Sequence, residues 1–192
     1  MEEQPILGVG GQAIKYNVHS CLQQYEPSKL KQISTKLHLP VHLLLYNLDG
    51  NMNIAMSIRT AATLGCSDVW IIGERRYDAR PEVGSKHYIN VHKLREIDPK
   101  IFFDEINVQP ILVEQGGTNL EEMNFKPYLK MKKPICFIMG SESHGLPQNI
   151  LKLGIPRISI CQYGLIRSLN VSIAASIVLY EFIKQLRNYT ID

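Results

Sequence analysis

The chain has little that would hold it together by covalent or metal links. Its four cysteines, Cys21, Cys66, Cys136 and Cys161, are scattered over 192 residues with no CxxC pair and no histidine at ligand spacing. That excludes a disulfide framework and a zinc module, and reads as reduced, mostly buried thiols with no metal. No apolar run is long enough for a bilayer: the most apolar stretch, Val171 to Ile183, is too short and carries Ser172, Ser176 and Glu181. The acidic start, Met1 Glu2 Glu3 Gln4, has no apolar segment behind it, so a signal or transit peptide is not expected and the expected compartment is the cytoplasm. Charge of one sign is also missing. With 21 Lys+Arg against 18 Asp+Glu the net charge is +3, which permits a polyanionic partner without requiring one. There is no internal repeat, low-complexity tract or linker, and composition excludes disorder, collagen and coiled coil. What is present is 45% hydrophobic residues, enough for one domain with a sizeable core.

The pattern along the chain predicts a helical N-terminal extension over 1–40, with helices at Gln12 to Gln24 and Ser28 to Leu37 broken by Pro27 and Pro40. From residue 41 apolar runs of strand length alternate with helical periodicity. Strands are expected at Val41 to Leu48, Val69 to Ile72, Tyr88 to Val91, Pro110 to Glu114, Pro134 to Met139 and Arg157 to Ile160. Helices are expected after Asn51, around Pro99 to Ile106, at Pro147 to Leu153, and from Leu169 to about Leu186. This order argues for an α/β domain over 41–192 with a mostly parallel sheet and helices on both faces. The last helix is apolar on nearly every side between Val171 and Ile183, which suits either a central helix in a monomer or one buried against a second subunit.

Ligands in such sheets sit beyond the carboxyl ends of the strands, where three loops are polar and glycine-rich: Asn47 to Arg59, Gly140 to Pro147, and Gln162 to Asn170. Arg59 lies among Ile58, Thr60, Ala61 and Ala62, so it either snorkels to solvent or meets an anion. Glu142 is placed to pair with Arg59 or to cap the helix at Pro147, and Ser168 is a natural helix N-cap. Adjacent Ser143 and His144 do not make a hydrolase, because their spacing from Gly140 is not GxSxG. Gly8 Val9 Gly10 Gly11 lacks the preceding strand that a dinucleotide loop needs.

Three segments stand in order along the chain: Asn53 to Gly65 (NIAMSIRTAATLG), Phe137 to Glu142 with Gly145 Leu146 Pro147, and Ile160 with Ser168 Leu169 Asn170 Val171 Ser172. Together they resemble the ordered motifs of the SpoU/TrmH branch of the SPOUT RNA methyltransferases. The resemblance covers about residues 41 to 187, and Gln162 to Asn170 is most similar to the tRNA guanosine-18 type. It implies a C-terminal deep trefoil knot, an exception to the usual rule against knots. It further implies S-adenosyl-L-methionine held by Glu114, Met139, Gly140, Ile160, Gln162 and Leu169. Methyl transfer to a ribose 2′-hydroxyl would use Arg59 with Asn53, Glu142, Ser168 and Asn170 around it. Because a guanidinium is always protonated, Arg59 is better suited to hold a phosphate and stabilise the developing alkoxide than to act as a base. The implied partners are RNA, tRNA before rRNA, and a second copy of the chain packed through the knot; a non-catalytic RNA-binding relative is the alternative. Two basic stretches, Glu74 to Arg95 and Lys126 to Lys133, are expected to be loops beside the site that offer phosphate contacts.

Overall fold

Helix α1 (Pro27–Leu37) leads into strand β1 (Leu39–Tyr46). There follow α2 (Asn51–Thr63), β2 (Cys66–Ile72), β3 (Asn90–Leu94), α3 (Pro99–Glu105), β4 (Gln109–Asn119), α4 (Lys126–Lys130), β5 (Ile135–Met139), α5 (Gln148–Leu151), β6 (Arg157–Ser159) and α6 (Val171–Tyr189). This is a computed structural model, in which residues 6–7, 13–14, 17–73 and 76–189 are described. The six strands form one sheet in the order β3-β2-β1-β5-β4-β6, and each neighbouring pair is parallel. Central β1 is apolar at almost every position because both of its faces are covered, as parallel sheets require. Its alternate residues feed two cores. Val41, Leu43 and Leu45 pack with Ile54, Ile58 and Ala61 of α2 and with Ala175, Val178 and Phe182 of α6. Leu44 and Tyr46 pack with Phe102 and Phe103 of α3 and Ile150 of α5 on the other face.

Local chemistry sets the element ends. Ile54, Ile58 and Ala61 recur at helical spacing along the buried face of α2, and the chain leaves that helix through Gly65 at φ +80, a left-handed conformation that glycine adopts without a Cβ penalty. Asp98 caps α3 by accepting from the Lys100 and Ile101 amides, with Pro99 at the first helical position. Among the described residues no helix is long and apolar enough to cross a membrane.

The structure departs from the sequence reading in four places. The extension has the expected helix at α1, but the span from Gln12 to Gln24 is not one. Ala13–Ile14 pairs antiparallel with Ile6–Leu7, a single 3-10 turn covers Ser20–Leu22, and Gln12, Lys15 and Tyr16 lie outside the described residues. None of the residues from 17 to 26 is buried, so a helix there would have no face to pack. Second, only Cys66 and Cys136 are buried, whereas Cys21 and Cys161 are exposed. Burial pushes the Cys66 thiol up to about 12 and raises Cys136 as well. Third, Lys126 to Lys133 is not a loop beside the site. It contains α4, tied to the first residue of β4 by Gln109 Nε2, which donates to the Tyr128 and Lys133 carbonyls at 2.9 and 2.8 Å. That is the amino edge of the sheet. Gln185 of α6, 14 residues or about 21 Å beyond Val171, grips the residues just before this segment, accepting from the Phe125 amide and donating to the Met123 carbonyl. Fourth, in the β2–β3 connection Arg80 is paired with Asp78 and Lys86 with Glu82, and Lys93 of β3 lies over the Tyr77 ring; Glu74 and Arg75 lie outside the described residues. Much of that basic charge is therefore spent locally.

One polar cluster lies within the α3 face. Trp70 Nε1 donates to His42 Nδ1 at 3.3 Å, His42 Nε2 lies 3.3 Å from Asp68 Oδ2, and His92 Nε2 lies 2.8 Å from Asp68 Oδ1 while its ring stacks on Trp70. Burial lowers the His42 pKa, outweighing the opposing pull of Asp68. Burial alone would raise Asp68, but hydrogen bonds from His92 and Ser67 and the histidine charges bring it below the usual value. The unfolded chain would bind a proton at His42 near pH 6.5 while the folded chain resists it, so stability is retained above that pH and lost as pH falls below it. Urea unfolding followed by the fluorescence of Trp70, the single tryptophan, should show a midpoint that drops between pH 7.5 and 5. His42→Gln should flatten that slope, and an unchanged slope in the variant would assign the effect elsewhere.

Candidate active site

Three loops at the carboxyl edge of the sheet are joined by side chains rather than by strand pairing. Helix α2 starts after Gly50, which offers no side chain to cap it. The acceptor comes from the loop after β5: Glu142 accepts from the Asp49 amide at 2.7 Å, the Gly50 amide at 3.4 Å and Asn53 Nδ2 at 2.5 Å. A carboxylate there also meets the positive end of the helix dipole. Asn53 Oδ1 in turn accepts from Asn170 Nδ2 at 3.0 Å. Asn170 Oδ1 caps α6, accepting from the Ser172 and Ile173 amides at 2.9 and 3.4 Å. Glu142 therefore fixes the chain entering α2, through the two amides just before the helix and the Asn53 side chain, and neither pairs with Arg59 nor caps the helix after Pro147. Asn170, not Ser168, is the cap of α6, because α6 begins one residue after Asn170.

The loop after β5 is curled by a pair of backbone hydrogen bonds between Ser141 and Gly145, at 3.1 and 2.8 Å. Gly140 makes that curl possible, since a Cβ there would come within 2.5 Å of the Gly145 carbonyl carbon and 2.6 Å of the Leu146 amide. Asp49 pins the curl from the neighbouring loop: its Oδ2 accepts from Ser141 Oγ at 2.7 Å, the Ser143 amide at 3.1 Å and Ser143 Oγ. Sequence reasoning passed over Asp49, although an acidic residue between a strand end and a helix start in one of the three marked loops was a signal. The third loop is fastened by Gln115 Nε2, which donates to the Arg167 carbonyl at 2.9 Å.

Together these loops enclose a cavity of about 480 Å³. Glu114, Met139, Gly140, Ile160, Gln162 and Leu169 all line it, as do Glu142 and Ser168. Glu114 turns its carboxylate to the Gln115 and Leu146 amides at 3.0 and 3.4 Å. Asn53 and Asn170 stand next to the cavity through their hydrogen bonds with Glu142 and with each other. Arg59 is not brought to this group within one chain. Six residues beyond Asn53 it is about 9 Å along α2 and turned about 120° away. It is exposed and lines a second, apolar groove of about 600 Å³ with Ile177 and Tyr180 of α6. Ile160 is common to both walls. Among the described residues no cluster of three or more His, Cys, Asp or Glu side chains could hold a metal ion.

The chain is 28% identical over 170 residues to the tRNA (guanosine(18)-2′-O)-methyltransferase of Borreliella burgdorferi, covering 85% of this chain and 77% of that enzyme. It is 30% identical over 139 residues to the enzyme of the same name from Escherichia coli, where the match spans 71% of this chain and 59% of the relative. Among solved structures, the Aquifex aeolicus TrmH/SpoU tRNA modifying enzyme superposes with a TM-score of 0.71 at 22% identity, over 85% of this chain and 84% of that one, a likeness of fold. The AdoMet-bound rRNA methyltransferase from Sinorhizobium meliloti superposes with a TM-score of 0.67 at 26% identity, over 85% and 62%. A family model described as SpoU rRNA Methylase matches residues 40–180, and the chain belongs to that family.

Proposed function

We propose that the chain is an S-adenosyl-L-methionine-dependent RNA ribose 2′-O-methyltransferase that acts on tRNA, at guanosine 18, in the cytoplasm. The observation that carries this reading is that all six residues implied to hold the cofactor line one cavity, together with Glu142 and Ser168. The cavity fits such a ligand. Its volume falls within the usual range for small-molecule sites, Ile160 and Leu169 offer apolar surface for a base, and the cradle at Gly140 has no room for a Cβ. The bound cofactor supplies an activated methyl group. The rest falls to this chain's residues. Glu114 and Glu142 orient backbone amides, the Asn53–Asn170 contact sets the loops at a fixed spacing, and Arg59 holds a phosphate and stabilises the developing alkoxide. The names of the relatives support tRNA over rRNA. The same reading includes the C-terminal knot, with 41–192 as the catalytic domain and the preceding 40 residues as an extension.

It also includes a homodimer. On α6, Ile173, Ile177 and Tyr180 are exposed at a spacing that puts them on one face, and Met56 is exposed on neighbouring α2. A second copy covering this stripe would lie against the groove that holds Arg59, so Arg59 would act on the partner's cofactor cavity. Two inactive variants then test the arrangement: Gly140→Ala, expected to lose S-adenosyl-L-methionine binding in calorimetry while staying folded, and Arg59→Lys, expected to bind the cofactor but lose most turnover. Mixed and re-equilibrated, they should regain methylation, because each mixed dimer holds one site with both parts. No recovery, or a monomer by light scattering at micromolar concentration, would overturn action across the dimer.

The substrate is tested by mapping ribose methylation in total RNA from cells with and without the protein. Loss at one tRNA position is expected. Loss confined to rRNA would replace tRNA in the proposal, and a protein that binds no S-adenosyl-L-methionine would favour the non-catalytic relative.

A further inference from the structure

Methylating a ribose hydroxyl requires something to take its proton, and Arg59 has no lone pair to offer. The titratable side chains around the cofactor cavity can be sorted by what already occupies them. Both oxygens of Glu142 and both of Glu114 accept from N–H donors. Arg167 only donates. His144 lines the same cavity and is exposed, and it is held through a relay that starts at Asp49.

The direction of that relay follows from the donors. Asp49 Oδ2 accepts an amide proton from Ser143 and the hydroxyl protons of Ser141 and Ser143. With its own hydrogen committed to Asp49, Ser143 Oγ meets His144 Nδ1 at 2.6 Å as an acceptor, so Nδ1 must carry the proton. The neutral imidazole is then left with its lone pair on Nε2, which has no hydrogen-bond partner among the described residues. The usual reason for such an arrangement, a second group fixing the tautomer of a working histidine, applies here with a serine in between.

We propose that His144 Nε2 accepts the 2′-hydroxyl proton and that Asp49, through Ser143, is the positioning residue that sets its tautomer. The assignment rests on the methyltransferase reading. As the 2′-oxygen bonds to the methyl carbon, the carbon–sulfur bond breaks and its electron pair stays on sulfur. The proton passes to Nε2, so the positive charge lost from the sulfonium reappears on the imidazolium, and exposed His144 returns the proton to water. Charged groups that line the cavity with His144 are Glu142 on its own loop, Glu114 within β4 and Arg167 from the segment before α6, and Asp49 of the β1–α2 loop reaches Ser143 beside it.

Two readouts decide the proposal. Nitrogen-15 NMR of the protein without ligands should show His144 as the Nδ1–H tautomer, reverting toward Nε2–H in Ser143→Ala and Asp49→Asn; an Nε2–H tautomer in the wild type overturns the relay. In single-turnover methylation, His144→Ala should lower the rate about 10²- to 10⁴-fold, with S-adenosyl-L-methionine and RNA binding unchanged. It should also abolish the acid limb of the pH–rate profile and respond to added imidazole. A rate within about threefold of wild type, or an acid limb that survives His144→Gln, assigns the proton elsewhere while leaving the methyltransferase reading intact. A wild-type protein that methylates no RNA removes that reading, and the assignment with it.

Discussion

At the entry to α2 the Asp49 and Gly50 amides and the Asn53 side chain share one acceptor, and it comes from 93 positions beyond Asp49 along the chain. Once Glu142 takes the Asp49 and Gly50 amides and Asn53 Nδ2, the loop after β5 is set relative to α2. Asn53 then passes the constraint to Asn170, and Asn170 to the start of α6. Three loops distant in sequence thus share one hydrogen-bonded chain. Its links are polar and exposed, worth on the order of 1 kcal/mol each, whereas burying a side chain such as Phe182, which is 0% exposed and edge-on to both Phe125 and Phe137, is worth several times more. The core therefore holds the fold, and the Glu142 chain decides only where the loops rest. A site built this way can open and close around a ligand without disturbing the sheet, since local openings break only the weaker set of contacts.

The parts of the molecule governed by periodicity were legible. Continuous apolar runs at β1 and β5 and the Ile54, Ile58, Ala61 spacing of α2 each have one dominant cause, burial, and their positions follow from it. β4 extends five residues past the expected Glu114 because the backbone bends near Gly116 and Gly117 and pairs with β6 again at Thr118. Gly117 lies so close to the Arg157 backbone that no Cβ would fit. Nothing in the local pattern announces a strand that continues through two glycines.

Legibility failed where a residue's role depends on which distant element arrives beside it. Ser168 has the chemistry of a cap, and so does Asn170. The choice between them depends on where α6 begins, which the loop's fastening through Gln115 and Arg167 helps set. Glu142 offered two nearby partners by sequence logic, and took a third because the sheet order places β5 beside β1. The lysines from Lys126 to Lys133 follow the same rule in reverse. Composition made them look like part of the site, while Gln109 holds them at the opposite edge of the sheet. The six residues that the motif resemblance singles out line one cavity although they come from distant parts of the chain, because a motif records the outcome of such arrivals.

Charge takes on meaning once it is sorted by position. Asp49, Glu114 and Glu142 all stand at the carboxyl-edge cavity or its supporting loops, and each turns its carboxylate to backbone amides, which hold the negative charge in place without a cation. Such a wall suits a positively charged sulfonium and repels phosphate. Cations for an RNA backbone must then come from the rim and from outside the cavity, where Arg167 and Arg59 are found. Ile160 lines both the cavity and the apolar groove beside Arg59, so the two environments meet at an apolar side chain.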